Sequence, residues 1–200
     1  MSADVDLDFG NRKDILDVIK HIPAIRETKT KRVRHNSGVY VQPLPVDPIT
    51  GYSNILFKDA DDRGYFKLDF LNVALYKRIK NPEHYERLLA TEPQWDRFGD
   101  REFVTKISHI SNYCTEIAYA MPDTIPRLAM FIAAIRPAKK HLLGRAWSDI
   151  AETIWDAPED GSYSFKQSHA VAYAMLITLH MNIIVEEEKQ ALLDFADKGN

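Results

Sequence analysis

Cysteine is all but missing. Cys114 stands alone in 200 residues, which excludes a disulfide framework within the chain and fits a reducing cytosol. Positive charge is not in excess either. Lys and Arg number 26 against 29 Asp and Glu, a net charge of −3. No global field therefore draws the chain to nucleic acid, and such contact has to come from local patches. Long apolar runs are also lacking. The longest, Ala170 to Val185, contains His180 and Asn182 and falls short of the ~20 residues that span a bilayer. It predicts a buried helix and no membrane partner. The N-terminal Met-Ser-Ala-Asp-Val-Asp is acidic and predicts no signal peptide. The seven histidines and Cys114 show no Cys-x-x-Cys or His-x-x-x-His spacing, so zinc chemistry is not expected. Ser168 and His169 are adjacent and point apart on a helix, which leaves no Ser/His/Asp nucleophile arrangement. There is no internal repeat, low-complexity tract or flexible linker. What is present, 45% apolar and 28% charged residues, is ordinary globular composition with enough chain for a real core.

Hydrophobic period divides the chain. Asp4 to Phe9 alternates strictly and predicts a strand. Asn11 caps a helix with Asp14 at its third position and an apolar stripe of Ile15, Val18, Ile19 and Ile22, ended by Pro23. Arg26 to His35 is basic without an apolar period and reads as a loop. Val39 to Val41, Tyr52 to Phe57 and Tyr65 to Leu71 read as strands, the last two joined by a turn over 59–64. Beyond Leu71 the pattern becomes helical: Asn72 to Ile79, His84 to Ala90, Arg101 to Ala120, Thr124 to Ile135, Trp147 to Trp155, and His169 to about Phe195. Prolines 82, 93, 122, 137 and 158 separate these segments. The expected organisation is a small sheet over 1–80 carrying an acidic site and a helical region over 81–200.

The chemistry concentrates in the strands. Asp4, Asp6 and Asp8 project from one side of a strand, about 7 Å apart at successive positions. In Tyr65-Phe-Lys67-Leu-Asp69-Phe the same alternation places Lys67 with Asp69 and turns Phe66, Leu68 and Phe70 inward. If the strands pair, four carboxylates converge. Like charges opposed across strands cost roughly 0.2–1 kcal/mol per pair, a conflict that a hard divalent cation removes. Mg²⁺ suits carboxylate oxygens and water, and two such ions can activate a hydroxyl and stabilise a leaving pyrophosphate. Alternation alone equally describes a solvated acidic edge strand. Asp-x-Asp also occurs in haloacid-dehalogenase-like phosphatases, but those need a parallel α/β sheet, and the helical C-terminal half argues against one.

Four ordered segments carry a family resemblance. Asp4-Val-Asp-Leu-Asp-Phe9 with Arg12-Lys-Asp14-Ile resembles the catalytic strand and following helix of the bacterial DNA polymerase III alpha subunit, a family C replicative polymerase. Lys67-Leu-Asp69-Phe-Leu71 looks like the strand bearing that family's third catalytic aspartate. Pro122-Asp-Thr-Ile with Ile132-Ala-Ala-Ile-Arg136-Pro137 resembles its helix ending in Arg-Pro. Ser162-Tyr163-Ser-Phe165-Lys-Gln-Ser168-His169-Ala-Val-Ala172-Tyr173-Ala174 is similar to its fingers motif. The resemblance implies an α+β fold: a small mixed β-sheet palm, nucleotidyltransferase-like, with a predominantly helical fingers part. It implies Asp6, Asp8 and Asp69 as metal ligands, Asp4 in support of them, and Lys67 as an active-site lysine. The implied cofactor is Mg²⁺, with Mn²⁺ as a substitute. Arg136, Lys166, Ser168 and His169 would bind nucleotide phosphate, by guanidinium fork and helix N-terminus. Helix capping explains Arg136 and Ser168 equally well. The basic runs, Lys29, Lys31, Arg32 and Arg34, then Lys139 and Lys140, would contact a DNA backbone. The implied partners are primer-template DNA, deoxynucleotide triphosphates and another polymerase or replisome subunit, in a bacterial cytoplasm or from a phage genome.

The departures shape the expectation. Family members precede the acidic strand with a histidinol-phosphatase-like domain and a Gly-Ser-rich segment that grips the triphosphate. Neither is found here, and the stretch around Arg34-His35-Asn36-Ser37-Gly38-Val39 is shortened, leaving His35 without an assigned role. The expected activity is template-directed nucleotidyl transfer in DNA replication, as part of a split or compact polymerase. The alternative is a catalytically inactive, polymerase-derived module that binds DNA or the replisome.

Overall fold

A computed structural model of the chain describes residues 5–157 and 165–198; Asp4, Ser162 and Tyr163 lie outside them. The chain divides into two compact units, Met1–Lys80 and Asn81–Asn200. Within the described residues the fold is α+β, with a small four-stranded mixed sheet confined to the first unit.

The first unit runs β1 (Val5–Phe9), α1 (Arg12–Leu16), β2 (Ile22–Glu27), β3 (Arg32–Tyr40), α2 (Phe57–Asp62), β4 (Leu68–Asn72) and a 3-10 turn over Ala74–Arg78. The strand order is β1-β4-β3-β2. β1 pairs parallel with β4, and the other two pairings are antiparallel. Ala24, Tyr40, Leu44, Ile55 and Ala60 make its core, with Ile22 and Tyr65 packed against them.

Four expectations for this unit are corrected: the residues expected as a turn over 59–64 lie largely in α2, Phe57–Asp62, and three others fail as follows. The helix after Asn11 stops at Leu16 instead of reaching Ile22. Asn11 does cap it, accepting from Lys13 N at 3.2 Å. The apolar stripe is not used, however: Val18 is 76% exposed, and Ile22 opens β2. Pro23 is tolerated there because β2 is an edge strand, where a missing N–H costs no ladder bond. The basic segment is no loop. Its residues form the β2–β3 hairpin, closed where Thr28 N donates to Lys31 O at 2.9 Å and the Thr28 hydroxyl donates to the same oxygen at 2.7 Å. Tyr52 to Phe57 is not a strand. The Ser53 hydroxyl donates to Ile55 O at 2.7 Å and accepts from Ile55 N at 3.1 Å. This local bonding competes with a ladder, leaving isolated bridges at Ser53 and Leu56.

The second unit contains α3 (Pro82–Ala90), α4 (Arg101–Thr105), α5 (Cys114–Ala120), α6 (Ile125–Ala134), α7 (Trp147–Thr153) and α8 (Gln167–Lys198), with 3-10 turns at Trp95–Gly99 and Pro137–Leu142. Ala170, Ala174, Ile177, Met181 and Ile184 recur at helical spacing along α8 and join Leu128, Phe131 and Ile132 of α6 in one buried cluster. Burying such a stripe, at roughly 25 cal/mol per Å² of apolar surface, is what holds the unit together. The expected helix over Arg101 to Ala120 breaks at its middle, where His109 takes a left-handed φ of 71°. By length and composition Gln167–Asp197 could cross a membrane, which the interrupted run had not suggested. Its apolar first half is instead committed to the unit's core.

Candidate functional site

The parallel pairing of β1 and β4 sets the geometry. Asp6 stands directly opposite Asp69, and Asp8 opposite Leu71. Adjacent parallel strands lie about 4.8 Å apart and opposed residues share a face, so Asp6, Asp8, Lys67 and Asp69 lie on one side of the sheet. Asp6 and Asp8 are exposed, whereas Asp69 is buried. The Asp8 carboxyl is held above the usual carboxylate range, first by desolvation, then by the neighbouring charge of Asp6; a hydrogen bond from Tyr76 opposes both.

Asp69 is fully engaged. One carboxylate oxygen accepts from the Ser37 hydroxyl at 2.7 Å, and the other is paired with the Lys67 ammonium. These two charged side chains are 11% and 12% exposed. Ser37 reaches Asp69 because β3 bulges. The β2–β3 register passes from Ile25↔Arg34 to Pro23↔Val39, so residues 35–38 stand opposite Ala24 alone, a bend that re-aims side chains. The His35 Nδ1 lies 3.6 Å from Asp69. It accepts from the backbone N–H groups of Ser37 at 3.3 Å and Gly38 at 2.9 Å, which places the ring proton on Nε2. Arg12 ties the bulge to β4, donating to the carbonyls of Asn36 and Phe70.

Among the described residues no group of three or more His, Cys, Asp or Glu side chains converges closely enough to hold a metal ion. The expected triad is thus gathered on one sheet face with Asp69 turned to Lys67 and Ser37. Ser37, Gly38, Tyr76 and the Arg12 contacts escaped the sequence reading. For Ser37 and Gly38 the signal is His35-Asn-Ser37-Gly, polar residues ahead of an apolar strand end; Tyr76 and the Arg12 contacts have none.

In the second unit Arg136 lies with its guanidinium 4.7 Å from the Phe165 ring centre, and Phe165 is 6.1 Å from the His169 ring. The Arg136 Nε is buried without a hydrogen-bond partner. The expected cap position shifts: the Lys166 carbonyl accepts from Ala170 N at 3.0 Å, so Lys166 caps α8 and Ser168 lies inside its first turn. Lys29, Lys31, Arg32 and Arg34 are exposed on the hairpin, and Lys140 is exposed. Lys139 is a correction. It is buried, and its ammonium donates to the Thr153 carbonyl at 2.6 Å, which removes it from any DNA-facing surface. No family model matches the chain, and no curated protein or solved structure matches it.

Proposed function

We propose that the Met1–Lys80 unit is the palm-like part of a family C type DNA polymerase, transferring nucleotidyl groups from deoxynucleotide triphosphates to a primer end. The observation that carries this reading is the register of β1 on β4, which brings Asp6, Asp8 and Asp69 to one face of two adjacent strands. Carboxylates are the donor type a hard cation prefers, although among the described residues no three of them converge on one point. Two exposed carboxylates sit two residues apart, and one is destabilised as an anion by desolvation and by its neighbour. Asp6 and Asp8 would hold Mg²⁺ or Mn²⁺, with Asp69 beside them. A cation bound there would neutralise the carboxylates and draw charge from phosphate oxygens. Lys67, fixed by Asp69, adds a positive charge facing the same side. In the helical unit Arg136, Lys166, Ser168 and His169 remain the proposed phosphate-binding group, Arg136 being without an ion-pair partner among the described residues.

The engagement of Asp69 by Lys67 and Ser37 favours a second reading, a polymerase-derived module that binds DNA or a replisome subunit without chemistry. Primer extension on a primed DNA template with Mg²⁺ separates the two. Extension by the wild-type chain and a loss of 100-fold or more in Asp8→Asn supports the enzyme, since removing a charged group at the reacting centre costs on the order of 3 kcal/mol. No extension by either protein refutes an autonomous polymerase.

A further inference from the structure

Other features of the chain are accounted for by packing. The buried Asn182 satisfies helix-end carbonyls, and His84 pairs with Glu186. The exposed apolar residues Leu192, Leu193 and Phe195 carry no sign of what would cover them. The β2–β3 hairpin is different. Arg26, Lys29, Lys31, Arg32 and Arg34 are all exposed along it, five cations against the single carboxylate Glu27 in a chain whose net charge is −3. None of the five forms an ion pair among the described residues. Elsewhere Arg87, Arg97, Lys106 and Arg127 all have carboxylate partners within 4 Å. A ring contact on the ribbon leaves the charge available: Arg34 lies 5.9 Å from the Tyr52 ring centre.

The topology frees this segment from the sheet. β3 meets β4 only at Gly38 and Val39, residues 35–37 are held to β4 through Asp69 and Arg12, and Ile25 is buried. It is therefore Arg26, Glu27 and Arg32 to Arg34, with the turn between them, that extend past the sheet as a two-stranded ribbon. Its register distributes charge on both faces. Arg26 shares a face with Val33, whereas Arg32 and Arg34 lie on the opposite one, and Lys29 and Lys31 sit at the turn. A planar anionic surface would engage one face and leave the other cations in water. A groove with a phosphate wall on each side engages both, and the major groove of B-form DNA admits a two-stranded β-ribbon.

We propose that the β2–β3 ribbon is a duplex-DNA docking element, seated in a groove with its cations on the phosphates of both walls. This names a surface for the nucleic-acid half of the function proposed above and is independent of the chemistry of the acidic strands. Binding is sequence-blind, because phosphate contacts carry no base information. Five contacts give a salt slope of about −4.5, so raising salt from 50 to 200 mM weakens binding about 500-fold.

The test is fluorescence anisotropy of the full chain with a labelled 20-base-pair DNA duplex, without divalent cation, over that salt range. The comparison is a triple variant, Lys29→Ser with Lys31→Ser and Arg32→Ser, and circular dichroism checks that both proteins are folded. The wild type should bind with the steep slope, and the triple variant's slope should fall to about −2, a weakening of only about 12-fold over the same range. Equal slopes for the two proteins, or no duplex binding by the wild type, overturns the proposal. So does equal or tighter binding of the matching single strand, or of vesicles containing anionic lipid. Duplex binding with no primer extension in the assay above retains the ribbon and removes an autonomous polymerase; extension with unchanged slopes retains the polymerase and removes the ribbon.

Discussion

Replacing Gly38 by alanine probes whether the bulge in β3 organises the acidic face. The backbone there is not in the left-handed region, so the cost is steric. An added Cβ would lie 2.9 Å from the His35 Nδ1, 2.9 Å from the Lys67 Cδ and 3.2 Å from the Ala24 Cβ. Neither close neighbour yields freely, since His35 accepts two backbone N–H groups and Lys67 is paired with Asp69. Overpacking of this kind costs ~1–3 kcal/mol, against which the stiffer unfolded chain returns ~0.4–1 kcal/mol. If Lys67 is pushed from Asp69, the loss of a partly buried pair adds to the cost. The expected net destabilisation is about 1–3 kcal/mol, or about 4–20 °C in the melting temperature of an 80-residue unit. All three tryptophans lie in the second unit, so tryptophan fluorescence would miss the event. Hydrogen exchange of β3 and β4 peptides reads it directly. Faster exchange at Arg34–Tyr40 and Leu68–Asn72 is expected for Gly38→Ala, and none for Gly99→Ala, where an added Cβ meets nothing within 4 Å. Unchanged or slower exchange in Gly38→Ala would refute the claim that this close approach locks the site.

Two further perturbations address the helical unit. The buried Asn182 amide donates to the Leu88 and Thr91 carbonyls at 2.9 and 2.8 Å, tying the end of α3 to α8. Asn182→Ala should cost about 1–3 kcal/mol by stranding both acceptors, read by urea unfolding with tryptophan fluorescence; an unchanged midpoint would mean the carbonyls are hydrated instead. His109 is held below its ordinary pKa by burial and then by the Arg136 charge, so the native state binds fewer protons than the unfolded one. Its contribution to stability is present above the unfolded value near 6.5 and is lost as pH falls through the folded pKa. The melting temperature should therefore drop between pH 7 and 5, and His109→Asn, which tolerates a φ of 71°, should flatten that slope. Equal slopes in both proteins would place the titrating group elsewhere.

The strands that were legible in the sequence are those whose polar and apolar residues alternate strictly, even though β1 is exposed on both faces and Asp69 is buried. Asp6 and Asp8 alternate with Val5, Leu7 and Phe9, and Asp69 alternates with Leu68 and Phe70. That period gave the two strands and the side on which their acidic residues lie; that β1 and β4 pair, with Asp6 opposite Asp69, is a finding of the structure. The hairpin was hidden because its alternating residues are nearly all polar. Arg32, Arg34 and Asn36 interleave with Val33, His35 and Ser37, and the ribbon buries too little for hydrophobic period to register. The helix over Ile15 to Ile22 failed for the opposite reason: a correct 3.6-residue stripe had no surface to pack on, and Pro23 with Ser53 drew the chain into the sheet, where Ser53 N donates to Pro23 O at 2.9 Å. In the second unit Thr124 was a readable helix start and accepts from a backbone N–H group, whereas the helix expected from His84 begins earlier, at Pro82, with Asn81 as its cap. The break at His109 had no proline or glycine to announce it.

The remaining question at the acidic face turns on Lys67 more than on any aspartate. A Lys-x-Asp sequence in a strand puts both side chains on the same face about 7 Å apart along the chain, a gap that a four-carbon stem closes easily. The ion pair with Asp69 is thus dictated locally, whatever the rest of the site does. Any divalent cation drawing on Asp69 has to displace an ammonium from a carboxylate that is 12% exposed, whereas Asp6 and Asp8 are open and repel each other. A cation therefore relieves conflict at Asp6 and Asp8 and creates it at Asp69. Removing the ammonium while keeping the stem, as in Lys67→Met, frees Asp69 to join the other two. An enzyme that uses Lys67 to neutralise phosphate loses activity in that variant while holding its cation more tightly. A module without chemistry keeps its DNA binding unchanged, because the ribbon that carries its charge does not include Lys67.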